Sequence, residues 1–424
     1  MNQIITNRRM FWALCVGLTL LPAVVLGGIY APVLDDYIMY QGYYLYDTSY
    51  LLNTVRVWTV RPVSNLLDVF VWSKFHDHLF TLFLIIAIFR ILAVYLLCRF
   101  FEKQGWEGAK MPLCLCLLWC PVGIEATGWL SAATRIITGL LFMSLSLHFL
   151  TRNRWGWFAL FLLLSFGCYE QIALVGFCLA GYDLWFRNRK MLWIPLSSGV
   201  VMGAYYLICN QWNTTSRMGF GVDWSVFSRI GEGWYLGLCR LVPESFRRGL
   251  ALLEQNPWLA AALVLLSAAL VLVWKPEKST RPFSWAVGVI LFMVCYLPFA
   301  VLKENGLSFR VMYLSMIGIA LLFQGGRGLW RKLVWGLLIF VFCVGSAGEL
   351  KDYQTAGLTD ARILNELAQN LEGDQVTVEP HLYYHVPSVL YGQHILSVTH
   401  SDWSLTGGLR AVTKDTSLEA RTKR

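Results

Sequence analysis

The sequence predicts an all-α polytopic membrane protein with a small extracytoplasmic α/β appendage at its C-terminus. Three observations carry that prediction. Apolar residues make up 57% of the chain, with 19 Trp and 19 Tyr, well above a soluble domain. Long apolar runs recur, several near the roughly 20 residues that cross a bilayer, without the polar face of a surface helix. The apolar runs stop near residue 348, and charged residues return from Lys351 onward.

The first run, "FWALCVGLTLLPAVVLGGIYA", follows "NRRM". It is long for a secretory signal and has no clear small-x-small end, so it reads as a first spanning helix. Further apolar segments lie at 79–98, 112–121, 130–150, 155–167, 171–185, 193–209, 258–274, 283–302, 311–323 and 333–347. The count is about eleven crossings if short pieces are included. With that count, six basic clusters fall on one side, among them Arg8–Arg9, Arg99 with Lys103 and Lys110, and Arg187 with Lys190. Basic links mark the cytoplasmic side. The expected topology therefore has a cytoplasmic N-terminus and an extracytoplasmic C-terminus. A transmembrane domain covers 1–349, with outer loops 31–77 and 210–257, and a small domain covers 350–424.

In the tail, "TDARILNELAQNL" reads as a helix, "QVTVEP" and "HILSVTH" as short strands, and "VTKDTSLEARTKR" as loose chain. His381, His385, His394 and His400 also lie there. Pro380 and Pro387 bracket the first two, so their spacing of four does not make a helical metal pair. The 11 cysteines sit mostly in apolar runs and form no disulfide scaffold. No metal site is expected.

The polar residues that need explaining all fall on the expected outer side. Asp35 and Asp36 follow the first helix and lead into a stretch with six tyrosines through Tyr50. They read either as an interfacial helix cap or as a general base facing a watered cavity. Repulsion between neighbours would raise the pKa of one. Arg56 and Arg61 follow in "VRVWTVRPVSNLL", and arginine can grip a phosphate. Snorkelling from the interface is the plain alternative for Arg56. Glu125 in "GIEAT" and Glu170 in "GCYEQ" interrupt apolar sequence, and each needs a partner or a substrate contact. Arg310 enters the tenth segment from the outer side, as a headgroup anchor or a phosphate contact.

The order of these residues resembles the polytopic GT-C glycosyltransferases, and among them the bacterial O-antigen glucosyltransferases that modify lipopolysaccharide. That pattern has an acidic pair plus Tyr, an aromatic stretch, then Gly-Arg-Pro-Leu or similar. Asp35, Asp36 and Tyr37 match the first part. Arg61, Pro62 and Ser64 match the second, with Val60 in place of the glycine. Tyr169 and Gln171 resemble a later Tyr-Gln pair, with Glu170 between them, and Arg310 resembles an arginine late in the bundle. The resemblance implies a GT-C-like bundle in a bacterial inner membrane. It implies inverting transfer of a sugar from a polyprenyl-phosphate donor to an extracytoplasmic glycan or glycolipid. Asp35 or Asp36 would act as base, and Arg61 and Arg310 would steady the leaving phosphate. A divalent metal is compatible but not required, and no nucleic acid partner is expected.

Two other classes compete. A transporter or flippase for a lipid-linked or anionic envelope precursor would need polar groups at mid-membrane and gating from both sides. A non-catalytic envelope scaffold would not need an acidic pair beside outward arginines.

Overall fold

The computed structural model describes residues 2–54, 61–212, 224–275, 284–301, 308–324, 329–371, 375–379 and 396–423. Arg56, His381, His385 and His394 lie outside the described residues. Helices dominate. They are α1 (Asn2–Val25), α2 (Thr48–Thr54), α3 (Pro62–Phe70), α4 (Leu79–Lys103), α5 (Lys110–Cys114) and α6 (Ile124–Gly128). Next come α7 (Leu130–Leu150), α8 (Trp155–Phe166), α9 (Glu170–Arg187), α10 (Trp193–Trp212), α11 (Val226–Tyr235) and α12 (Val242–Gln255). The last are α13 (Pro257–Val273), α14 (Ser284–Val294), α15 (Leu297–Val301), α16 (Phe309–Leu322), α17 (Leu329–Gln369) and α18 (Asp402–Thr413). Two short strands, β1 (Gln375–Val378) and β2 (Glu419–Thr422), pair in parallel with Gln375 opposite Glu419.

Among the described residues, four helices are long and apolar enough to cross a membrane, or up to six if two bent pairs each count as one span. Other apolar helices, among them α8 and α16, are too short to cross. The expected eleven crossings are therefore not all full-length spans. Proline accounts for the breaks. The residue before proline avoids the helical region, and Cys120, before Pro121, is extended. The 107–119 and 121–128 pieces meet at 51°. Ser346 Oγ and Tyr313 OH replace lost backbone bonds there, donating to Trp119 O (2.7 Å) and Leu117 O (2.9 Å). A second break before Pro257 turns the chain by 120°, so α11 and α12 fill much of the expected outer loop 210–257.

The bundle has two distinct polar ends. At the C-terminal end of α4, Glu102 takes Arg8 (2.6 Å), Arg99 (3.1 Å) and Lys110 (3.9 Å). There too, Gln104 donates to Asp183 (2.6 Å), and Arg187 bonds Asn153 (2.6 Å). Residues from the basic links thus gather at one end. The carboxylates singled out in the sequence gather at the other, where α7 begins.

The tail differs from its expected outline. The α17 helix runs unbroken through residue 350, so the boundary expected there lies inside a single helix. "QVTV" is a strand as expected. The described part of "HILSVTH" is instead a 3-10 turn, Val398–His400, held on the Asp360 carboxylate of α17 through Val398 N (3.3 Å). The end expected to be loose supplies β2. Its buried Leu418 and Ala420 supply apolar anchors that the surrounding charges hide in sequence.

Glycines set two close helix crossings, as small residues do in membranes. A Cβ at Gly249 of α12 would fall on the Val344 backbone of α17, and one at Gly318 of α16 would meet Gly288 and Phe292 of α14. Beside the first crossing, Arg248 pairs with Glu349 and with Asp352 (2.5 Å). We expect Gly249→Leu to force α12 and α17 apart and to cut folded yield and melting midpoint sharply. Thermal unfolding of the detergent-purified protein, followed by size-exclusion chromatography, measures this.

Candidate active site

The site is assembled around the start of α7. Trp129 is extended and gives the helix no side-chain cap, although the first amides of a helix have no acceptor within it. Acceptors come from far back in the chain. Asp36 Oδ1 takes the Ser131 amide at 2.8 Å, and the Tyr30 hydroxyl takes the Leu130 amide at 2.9 Å. That hydroxyl donates to Asp36 Oδ2 (3.0 Å), which also accepts from Val33 N (3.2 Å). Trp129 Nε1 returns a bond to Val33 O (3.1 Å). Asp36 therefore caps a helix, but not a local one: its side chain makes no cap bond to the turn that follows it. The helix it caps lies 95 residues further on, and "DYIMYQG" itself forms a π-helical turn at Tyr37–Gly42.

Asp36 is wholly buried, whereas Asp35 is half-buried. Leu34, just before the pair, has φ of +44°, a strained value for a residue with a branched side chain. Burial pushes the Asp36 carboxyl from 3.8 up to about 7, opposed by its Ser131, Val33 and Tyr30 donors, and the charge on Asp35 adds to the rise.

A second buried carboxylate stands beside the first. Asp68 of α3 pairs with Arg135 of α7 at 3.1 Å. The Tyr40 hydroxyl lies 3.4 Å from Asp68 and 2.7 Å from Thr134 Oγ1. Burial lifts Asp68 to about 6, with Arg135 opposing.

Arg61, at the entry to α3, is clamped by Glu170 through Nε (2.8 Å) and Nη2 (2.6 Å). Its guanidinium lies 4.3 Å over the Tyr169 ring. The "RPVS" stretch docks on the "GCYEQ" turn. Val63 N and Ser64 N donate to Gly167 O (3.0 and 3.2 Å), and Ser64 Oγ donates to Cys168 O (2.7 Å). This satisfies amides at the start of α3, and a Cβ at Gly167 would overlap Val63.

Arg310 is held more lightly. Its amide donates to Glu125 Oε2 (3.0 Å), but its guanidinium Nε is 3.8 Å from Glu125 Oε1 and lies over Trp129, 5.4 Å from the ring centre. Among the described residues, the Arg310 guanidinium makes no hydrogen bond. Its side chain is 31% exposed, while Glu125 beneath it is wholly buried. Burial raises the Tyr169 phenol, and Arg61 and Arg310 both oppose that rise, so the two arginines act on one ring.

Two residues from the sequence pattern turn inward. Gln171 donates to Cys295 O (2.7 Å) and Val311 O (3.3 Å), binding α9 to the helices behind it. Tyr37 is buried with Leu364, Leu405 and Leu409 in the small core of the tail. No cluster of three metal-binding side chains is present among the described residues.

The structure adds Tyr30, Asp68, Arg135 and Arg90. Asp68 and Arg135 each sit as a single charge within a short helix-compatible stretch, "LLDVF" and "AATRIITG", and only the fold brings them together. Arg90 lies midway along α4, so not every polar outlier sits at the outer end. The signal was there, since an arginine inside an apolar run is costly. No protein-family model matches the chain, and no curated protein matches it.

Removing the Asp36 carboxylate takes the acceptor from two buried amides, Ser131 N and Val33 N, each costing roughly 1–3 kcal/mol, while the Tyr30 hydroxyl keeps Gly128 O as an acceptor. We expect Asp36→Ala to lower the melting midpoint far more than Asp36→Asn. A pH dependence follows as well. Between about pH 4 and 7 the folded protein holds a proton on Asp36 that the unfolded chain has lost, and Asp68 does the same up to about pH 6. Stability from these groups therefore falls as pH rises through that window. Melting curves at pH 5 and pH 8 should show a higher midpoint at pH 5, and Asp36→Asn should flatten part of that slope.

Proposed function

We propose that this chain is an inverting membrane glycosyltransferase of GT-C type. It moves a sugar from a polyprenyl-phosphate donor to an extracytoplasmic glycan or glycolipid. The observation that carries the proposal is the setting of Asp35 and Arg310. Asp35 is a half-buried carboxylate two residues from Val33, and Val33 O holds Trp129. The lightly held Arg310 guanidinium lies over that same Trp129 ring. A base and a cation thus share one rigid support.

Asp35 is the base in this reading, because Asp36 is committed to capping α7. Asp35 takes the proton from the acceptor hydroxyl as its oxygen attacks the anomeric carbon. The bond from that carbon to the phosphate oxygen breaks, and its electron pair stays with the polyprenyl phosphate. The diester monoanion becomes a monoester with added charge. Arg310 meets that charge as it develops, which is where preorganised cations act most strongly. Attack from the face opposite the phosphate inverts the carbon. Arg61, already clamped by Glu170, positions the α3 entry and screens the same region. No cofactor is needed for these steps.

With eleven crossings the basic end of the bundle is cytoplasmic and the α7 entry faces outward, in a bacterial inner membrane. The segregation of the two polar ends supports it.

Arg90 is the observation that favours a transporter or flippase instead. Its Nε has no hydrogen-bond partner among the described residues. The cavity it lines with Thr19, Tyr313 and Ser346 measures about 20 Å³. That is room for one water, too little for a lipid-linked substrate. The transferase reading stands ahead on that ground.

Membranes containing the protein, supplied with polyprenyl-phosphate sugars and candidate acceptor glycans, test this. Asp35→Asn should lower transfer at least about 100-fold, the usual weight of a general base. Arg310→Gln should lower kcat by roughly 10²–10³-fold. Full rates for Asp35→Asn at normal abundance would remove the base assignment.

A further inference from the structure

A roomy cavity of the described structure lies outside the bundle. It is a cleft of about 630 Å³ between the tyrosine-rich first loop and the C-terminal lobe, within the roughly 300–1,000 Å³ of small-molecule sites. Its walls come from two distant parts of the chain. One wall is Ile38, Tyr43, Tyr46 and Tyr50, and the other is α18 with β2. The walls are firmly joined. Arg410 Nη1 donates to the Tyr46 hydroxyl (3.3 Å), and Lys414 lies 4.7 Å over the Tyr44 ring. Gly407 lets α18 press against Ile38, where a Cβ would overlap. Tyr37 seals the joint from beneath, as part of the lobe's own core.

The lining has a particular chemistry. Tyr46 and Tyr50 stack with centres 4.7 Å apart, and Trp403 stands across from them on α18. Tyr50 is 45% exposed and Trp403 51% exposed, so neither side chain is sealed by the protein. Around them stand two carboxylates, Asp402 and Glu419, and two guanidinium groups, Arg410 and Arg421. The charges balance, so the cleft does not select an anion or a cation. Flat apolar ring faces ringed by strong donors and acceptors fit one class of ligand well. A sugar ring has an apolar C–H face and a rim of hydroxyls that both donate and accept.

We propose that this cleft binds a short uncharged oligosaccharide, the glycan part of the acceptor. Ile38 and Tyr43 of its wall lie on the same stretch of chain that carries Asp35 and Asp36, so the cleft and the base of the proposed reaction share one segment. The proposal rests on the transferase reading for its consequence in catalysis, but saccharide binding is measurable without any transfer.

The test uses the full chain in nanodiscs with defined neutral oligosaccharides of glucose, galactose, mannose, rhamnose and N-acetylglucosamine. Saturation-transfer NMR reads contact between sugar C–H groups and the protein. At least one neutral oligosaccharide should bind. Trp403→Ala and Tyr50→Ala should each weaken its Kd about tenfold, and Trp403→Phe, which keeps a ring, should retain most of the affinity. Melting midpoints should not move, because both rings are half-exposed. Asp35→Asn should bind as wild type does. Failure of every neutral oligosaccharide to bind overturns the proposal, as do preference for charged glycans and unchanged affinity in both alanine variants. If transfer is found and Trp403→Ala leaves the acceptor KM unchanged, the cleft assignment falls and the transferase reading stands. If binding depends on the cleft but no donor supports transfer, the transferase reading falls and the cleft stands.

Discussion

The carboxylate of Asp36 is the constraint on which the polar end of the bundle at the start of α7 depends. It is a charge-bearing group in a dry place, and three donors converge on it. The cost of burying it is offset only while those donors stay in position. One of them, the Ser131 amide, belongs to a helix that would otherwise start uncapped. The acidic pair and α7 are therefore mutually dependent. The chain leaving α1 cannot shift without uncapping α7, and α7 cannot shift without stranding a buried acid. Asp35, beside it, inherits a fixed position from a neighbour that does the structural task. A rigidly carried side chain is what positioning a base requires.

Around that cap the same electrostatic logic repeats. Asp68 meets Arg135, Glu170 meets Arg61, and Glu125 meets Arg310. Each pair joins two elements that are distant in sequence, because an unpaired charge in low dielectric is costlier than a paired one. The pairs are unequal. Arg61 is held at both nitrogens of one edge and lies on Tyr169. Arg310 is held by its own backbone amide and a long side-chain contact, and this leaves its guanidinium open. That difference separates a positioning arginine from one able to meet a new anion. Motif order alone treats them alike.

The C-terminal lobe enters the same design. It is continuous with the bundle through α17, its small core includes Tyr37, and one of its helices rests on Ile38. Changes in the lobe reach the segment that carries Asp35 and Asp36 by direct packing. The tyrosines of the first loop, which an interfacial belt would also explain, form one wall of a cleft that the lobe completes.

Composition and spacing by themselves determined that the chain is helical and membrane-embedded, since apolar runs without a polar face have few other homes. They also marked Asp35, Asp36, Arg61, Glu125, Glu170 and Arg310, because a charge interrupting an apolar stretch is visible one residue at a time. Tertiary structure alone decided what those charges do. Asp36 meets the Ser131 amide 95 residues on, and the Arg61–Glu170 and Glu125–Arg310 partners lie 109 and 185 residues apart, and no local period encodes such distances. It showed that Asp36 caps α7, that Gln171 and Tyr37 face inward, that Asp68 and Arg135 belong to the site, and that the tail ends in a strand. Burial separated the two adjacent aspartates. In sequence they are equivalent, and in the fold one is sealed among amides while the other is half-buried.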